Sequence, residues 1–216
     1  LFGAGGLQQA GLETTTAGNA GFITSLYVVI VPLLLALIWK QRVRWSAWLA
    51  AGLAVLGSLL LSTGGVLKLS TGDALELLGA LFWALHVILV GRAMQRLDVL
   101  SFAAGQYLLA GALNLAVSLL TRQSWAGLSE VWWTVIYIGL LSTAIGYTLQ
   151  VYAQRTAPPA DAAILLSMES VFAALTGYLF LDEGLGTRQL FGCALILGAI
   201  FLAQIRTENV GNAKII

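Results

Sequence analysis

LQQAGLETTTAGNAGFITSL, residues 7–26, and LQVYAQRTAPPADAAILLSM, residues 149–168, are two versions of one pattern, aligned without a gap at an offset of 142. Each opens on Leu-Gln, crosses a short polar stretch and runs through small and apolar residues to a serine followed by Leu or Met. The likeness continues beyond them. LAAGLAVLGSLLL at 49–61 lies against LFGCALILGAIFL at 190–202, now at an offset of 141, with Gly57 opposite Gly198. Self-similarity over such a length marks a duplicated structural unit.

Composition says what medium the units sit in. Of 216 residues, 59% are hydrophobic and 10% charged, with a mean hydropathy of +0.88; a soluble domain carries about 25% charged residues. Eleven Lys and Arg and ten Asp and Glu cannot clothe a water-facing surface of this size, so most of the surface faces lipid or other helices.

About 20 apolar residues cross a ~30 Å hydrocarbon core as a helix. The chain divides into seven such runs, near 20–39, 46–62, 73–91, 99–120, 131–152, 160–181 and 189–204, with residues 1–12 as the end of an eighth. Short polar connectors separate them: ETTTAGN, KQRVR, STGGVLKLSTG, GRAMQRLD, TRQSWAGLSE, QRTAPPAD and DEGLGTR. Alternating-polarity strands are absent from the sequence, so the spans read as helices rather than barrel strands.

Five helices separate each copied helix from its original, and an odd number sets the copies in opposite orientations, the inverted-repeat arrangement of secondary transporters. The expected fold is an all-α membrane protein, a polytopic helix bundle of two inverted five-helix repeats, here with seven full spans and an N-terminal partial helix. Residues 1–62 read as the C-terminal part of the first repeat, 73–206 as a complete second repeat and 207–216 as a cytoplasmic tail. The same arithmetic expects two full helices and part of a third upstream of Leu1, without which the chain should fold but not transport. No basic n-region or cleavage site marks residues 1–12 as a signal peptide.

Alternating helix direction puts Lys40, Arg42, Arg44, Arg92, Arg96, Arg155, Arg206 and Lys214 on one side, with Lys68, Arg122 and Arg188 on the other. Positive charge gathers on the cytoplasmic side, which places the KQRVR loop and the C-terminus inside. Cys193 and His86 each stand alone in the sequence, which leaves no disulfide and no clustered metal ligands, and the dispersed net charge of +1 gives no footprint for nucleic acid. Cofactors are not expected.

Glu169 lies nine residues into its span, about 14 Å along the axis and near the midplane. An ionised acid there costs roughly 2.5–3.5 kcal/mol, which marks it as a proton or substrate-cation site or, on the blander reading, a protonated acid capping a helix contact. As the only acid read at such depth, it is the one candidate for proton coupling. At 100° per residue, Gly139, Ser142, Thr143, Gly146, Tyr147, Gln150, Ala153 and Gln154 share an arc of about 140°, which faces protein or a wet cavity. His86 and Trp83 lie one turn apart with Phe82 and Gly79, as a core contact or a substrate contact. Tyr107, Gly111, Asn114 and Ser118 form a weaker polar face. Tyr27 is the repeat-equivalent of Glu169. Pro32, five residues on, interrupts helix hydrogen bonding and reads as a hinge or as a tolerated bend. The tryptophans 39, 45, 48, 125, 132 and 133 sit at helix ends, as an interfacial belt does.

Three stretches together resemble the EamA family of the drug/metabolite transporter superfamily: GNAGFITSLYVVIVP (18–32), GDALELLGALFWALHVILVGR (72–92) and IGLLSTAIGYTLQVYAQRTAPPADAAILLSMESVFAALTGYLFLDEGL (138–185). The family commonly has Glu-Pro where this chain reads Glu169-Ser170, and Gly-Glu where it reads Asp182-Glu183; Gln41 stands at the first-repeat equivalent of Glu183. The resemblance implies a ten-helix carrier of two inverted repeats that exports amino acids, other metabolites or drugs from a bacterial cytoplasmic membrane. Transport would proceed by alternating access, driven by an ion or solute gradient with proton coupling as one form. Its partners would be a small solute and the bilayer, and a homodimer stays open. The competing classes, an intramembrane enzyme or a non-transporting scaffold, lack respectively a paired nucleophile and base and a use for a polar interior stripe.

Overall fold

Backbone in lipid must bond to itself. The computed structural model of the chain describes residues 1–62, 70–180, 184 and 186–204, Ser62 by its backbone alone, and all regular structure among them is helical. In chain order the elements are α1 (Phe2–Leu12), α2 (Ala17–Ser25), α3 (Tyr27–Leu37), α4 (Trp45–Ser62), α5 (Thr71–Ala93) and α6 (Val99–Leu120). Then come α7 (Leu128–Tyr137), a π-helical segment (Ile138–Gly146), α8 (Tyr147–Ala153), α9 (Pro159–Leu166), α10 (Met168–Phe180) and α11 (Thr187–Gln204). Six stretches are long and apolar enough to cross a membrane: Ala17–Leu37, Thr71–Ala93, Val99–Leu120, Leu128–Ala153, Pro159–Phe180 and Thr187–Gln204; Trp45–Leu61 is apolar and shorter. The protein is a polytopic helical membrane protein. Asp182, Glu183, Arg206, Lys214, Lys68 and the expected tail lie outside the described residues.

Three spans expected to be single α-helices depart locally from α-helical bonding while remaining helical throughout. The first does so at Leu26 between α2 and α3, the second at Ser167 between α9 and α10, within one residue of equivalent positions in the duplicated pattern. Both turns keep right-handed helical dihedrals, Leu26 at φ −60°, ψ −18° and Ser167 at φ −63°, ψ −13°, and a similar local bond accompanies each. Ser25 donates its hydroxyl to the Phe22 carbonyl at 2.6 Å, and Ser167 donates to the Ile164 carbonyl at 2.6 Å, each at spacing i−3, a bond that competes with the helical ladder. Pro32 lies inside an unbroken α3, so the turn falls six residues before it. The third span, expected near 131–152, carries the π-helical segment, whose i→i+5 bonding takes more residues per turn than an α-helix. A stripe computed at 100° per residue therefore drifts across it.

Close backbone contacts hold the bundle together. α4 packs along α11, and their chains meet at two glycines: a Cβ on Gly57 would lie 2.7 Å from the Gly192 carbonyl oxygen, and one on Gly192 2.7 Å from that of Gly57. Around this crossing Ala47, Ala50, Ala51 and Ala54 pack against Ile196, Ala199 and Ala203, with Val28 and Ile164 completing the core. Val31 and Leu35 of α3 meet Ala84, Val87 and Ile88 of α5 and Ala160 and Ala163 of α9 in a second core. α1 lies along α5, where Gly72 packs directly on the Gly11 carbonyl.

Caps fix where the spans begin. Ser70 and Asp73 form a capping box at the start of α5. Asp98 accepts from the Ser101 amide at 3.0 Å ahead of α6, and these backbone N–H groups hold its carboxyl below the usual carboxylate range. At the start of α9, Pro159 occupies the first turn, and Asp161 receives Arg44 from the KQRVR loop at 2.6 and 2.8 Å. The same guanidinium donates to the Ala203 carbonyl near the end of α11 at 3.0 Å, so one side chain ties a loop to two helix ends.

Candidate functional site

Residues on either side of the Leu26 and Ser167 turns border a common space. A cavity of about 530 Å³ opens there, lined by Gln8, Gly21, Thr24, Ser25, Tyr27, Trp83, Val87, Ser142, Gly146, Tyr147, Gln150, Leu166, Ser167, Glu169, Ser170 and Ala173. Four pairs in that lining are equivalent under the 142-residue offset: Gln8 with Gln150, Thr24 with Leu166, Ser25 with Ser167, and Tyr27 with Glu169. The duplicated stretches therefore face one another across a shared space.

Glu169 stands in the first turn of α10, two residues after Ser167. It is the one carboxylate among the lining residues. The wall beside it is aromatic. Trp83 of α5 stacks on Tyr147 of α8 with centroids 5.8 Å apart and planes at 4°, and His86 sets its ring edge-on to both, at 5.7 Å from Trp83 and 6.2 Å from Tyr147. His86 itself does not line the cavity; its Nε2–H donates to Gln106 Oε1 at 3.1 Å, which orients the ring that backs the stack.

Of the residues singled out from sequence, Glu169, Trp83, Tyr147, Gln150 and Tyr27 line the cavity and His86 backs it. The other three stand outside. Tyr107 of α6 donates to the Ala144 carbonyl at 3.2 Å and accepts from the Thr148 hydroxyl at 3.0 Å, so it anchors the π-helical segment rather than reaching a solute. Asn114 bonds its own helix at the Ala110 carbonyl, 2.9 Å away. Thr143 is half-buried on the π-helical segment, whose Ser142 and Gly146 reach the cavity instead. Gln154, the second glutamine of the expected stripe, is fully buried: it donates to the Val87 carbonyl at 2.8 Å and accepts from Gln150 at 3.3 Å, linking a lining residue to α5.

Sequence reasoning passed over Gln8, Thr24, Ser25 and Ser167, although the repeat alignment sets three of them opposite residues in the second copy. It also passed over Glu76. Glu169 is not the only enclosed acid: Glu76, in the second turn of α5, is fully buried, with Thr24 donating to its Oε2 at 2.9 Å. The signal was its place on the Gly72, Gly79, Trp83 and His86 face, three or four residues apart in turn. Among the described residues no group of three or more His, Cys, Asp or Glu could hold a metal ion.

A cavity lined jointly by two copies of a duplicated helical unit is an arrangement in which secondary transporters hold a solute. Sequence comparison gives the class its family. The chain belongs to the EamA-like transporter family, whose profile matches residues 1–63 and 70–204. It is 31% identical over 199 residues to an uncharacterized transporter of Archaeoglobus fulgidus, covering 92% of this chain and 64% of that protein. It is 34% identical over 181 residues to the threonine/homoserine exporter RhtA of Escherichia coli K12, covering 81% of this chain and 58% of that protein. The chain thus spans roughly three fifths of the length of these relatives. A solved crystal structure superposes over 98% of this chain and 75% of its own with a TM-score of 0.83; at 18% identity it speaks for the fold alone.

Proposed function

We propose that the protein exports small amino-acid-type metabolites across a bacterial inner membrane by alternating access of the central cavity, with Glu169 as the group that binds either the solute's ammonium or a proton. The observation that carries this is the pairing of equivalent residues around one cavity, because a site shared by two oppositely oriented repeats can be exposed to either side by the same local motion. The volume of about 530 Å³ lies within the ~300–1,000 Å³ of small-molecule pockets. The threonine/homoserine exporter among the relatives points to amino acids as the solute class.

In this reading the carboxylate of Glu169 takes a cation and the Trp83–Tyr147 stack packs against the solute's apolar side. Gln8, Gln150, Ser25 and Ser167 supply hydrogen bonds. Proton and ammonium compete for one carboxylate, so a proton gradient drives net release of solute on one side. The turns at Leu26 and Ser167 bend as the cavity changes face, helped by Pro32, which has no N–H to offer the Val28 carbonyl one helical turn back. Residues 1–62 and 73–206 act as the two opposed units, with the KQRVR loop and the C-terminus cytoplasmic.

Labelled threonine in proteoliposomes of the full-length protein tests this. Glu169→Gln should lower gradient-driven net transport by at least tenfold, and proton-independent exchange less. Tyr27→Phe, at the equivalent position, should change either rate by no more than about threefold. Wild-type, pH-dependent transport by Glu169→Gln would remove Glu169 from the mechanism.

A further inference from the structure

Glu76 has no place in the cavity lining, yet it is the most enclosed acid of the described chain. Its side chain is fully buried between α5, α1 and α2. Thr24 donates to Oε2 at 2.9 Å, and Oε1 has no hydrogen-bond partner. That oxygen lies against the Gly11 backbone, where an added Cβ would stand 2.7 Å away. Among the described residues no cation is within ion-pair distance of Glu76.

An ionised carboxylate out of water needs a cation or several donors, and one hydroxyl does not suffice. The groups around it offer no further compensation. α1 and α2 contain no titratable side chain, and Glu13 beyond α1 is exposed. From α5 itself Asp73 lies one turn away and is bonded by the Thr15 hydroxyl and by the Ser70 amide at 2.7 Å, so it has more hydrogen-bond donors than Glu76 to hold it as a carboxylate. A second negative charge one turn from Asp73 would be repelled.

Thr24 connects this acid to the site. Its hydroxyl bonds Glu76 on one side, its residue lines the cavity on the other, and it immediately precedes Ser25 at the α2–α3 turn. Any bending there moves the one donor that Glu76 has. We propose that Glu76 is a second proton-binding site, neutral while α1 and α2 pack on α5 and ionised when bending at the α2–α3 turn withdraws Thr24 and admits water. On opening, the Glu76 O–H bond breaks and the proton passes to water, leaving the carboxylate; on closing the carboxylate takes a proton back from water. The coupling to the turn rests on the alternating-access reading, whereas the protonation itself does not.

Infrared difference spectroscopy of the protein in lipid nanodiscs tests the proposal without a transport assay. At neutral pH the wild type should show a carboxylic-acid carbonyl band that disappears in Glu76→Gln, persists in Glu169→Gln and fades as pH rises. Thr24→Val retains the acid, covers the case in which Glu76→Gln fails to fold, and should move the band to higher frequency through loss of the donated hydrogen bond. Identical spectra for wild type and Glu76→Gln would overturn the assignment. So would a band that sodium chloride abolishes at constant pH where choline chloride does not, because the site would then hold sodium. Failure of threonine transport with the band intact would count against the carrier reading and leave the proton site standing.

Discussion

The two spans with serine turns share a backbone and differ in chemistry. α2–α3 and α9–α10 turn within one residue of equivalence, with serine hydroxyls directed onto equivalent carbonyls. Their side chains then diverge. At the start of α2, Thr16 caps by accepting from the Asn19 amide at 3.2 Å; the equivalent positions at α9 are Pro158 and Asp161, and Asp161 takes Arg44. At the turn, Thr24 bonds a buried acid while Leu166 offers only apolar surface. One residue past the serine pair's neighbours, Tyr27 faces Glu169 across the cavity. Duplication supplied the geometry, and divergence gave one copy the cavity carboxylate and the other the contact with Glu76. A symmetric motion can thus act on asymmetric charges.

The largest effect that bears on this comparison lies in the helices following the turns. Gly57 and Gly198 are equivalent, yet a Cβ on Gly57 would strike the Gly192 carbonyl at 2.7 Å while one on Gly198 meets nothing within 4 Å. Gly57→Ala should destabilise by about 1–3 kcal/mol through overpacking against backbone that cannot retreat. Gly198→Ala should be neutral or stabilising by roughly 0.5–1 kcal/mol, since alanine is the better helix residue. Unfolding in detergent would read both, and equal losses would mean that the α4–α11 crossing is symmetric after all.

The serines sharpen the common half of the comparison. Ser25→Ala and Ser167→Ala each remove one buried hydroxyl and its bond to an i−3 carbonyl, a loss of about 0.5–1.5 kcal/mol. The two losses should agree within that range, and both variants should straighten their span, seen as slower amide exchange at residues 26–30 and 167–171. A large loss at one serine and none at the other would break the structural equivalence.

How far these features were legible in sequence depended on the range of the interaction behind them. Span positions followed from apolar run length, and 99–120 was found to the residue because Asp98 and the polar turn after Leu120 punctuate it. Glu169 was legible from its depth in an apolar run, Gln150 from the polar stripe and Tyr27 from its equivalence to Glu169 in the repeat, and all three line the cavity. The turns at Leu26 and Ser167 were missed, since a serine inside an apolar run has the same composition whether its hydroxyl bonds the chain or a neighbour. The π-helical segment escaped for a related reason: Tyr107 holds the Ala144 carbonyl from another helix, a tertiary cause with no local pattern. Glu76 lay hidden in the first turns of α5, where acids are ordinary capping residues, and only packing of α1 and α2 over it reveals the difference.

The smallest effect concerns the Arg44–Asp161 contact, which the first copy lacks because Asn19 replaces the acid. Both side chains keep over a fifth of their exposure, 23% and 22%, so solvent and salt screen the pair and its net worth is about 0.2–1 kcal/mol. Arg44→Ala removes this and the bond to the Ala203 carbonyl but leaves Asp161 at the α9 N-terminus, where the helix dipole still favours the carboxylate. Asp161→Asn removes the ion pair and the dipole contribution but keeps the Ala203 bond, so at low ionic strength the two variants should differ by no more than about 1 kcal/mol. Raising salt to about 1 M, where the Debye length falls to roughly 3 Å, should shrink the cost of either variant. Melting curves at two salt concentrations separate the terms. A cost that salt leaves unchanged would make Arg44 a packing and carbonyl-bonding residue, and would remove the one charged contact that sets the start of α9 apart from the start of α2.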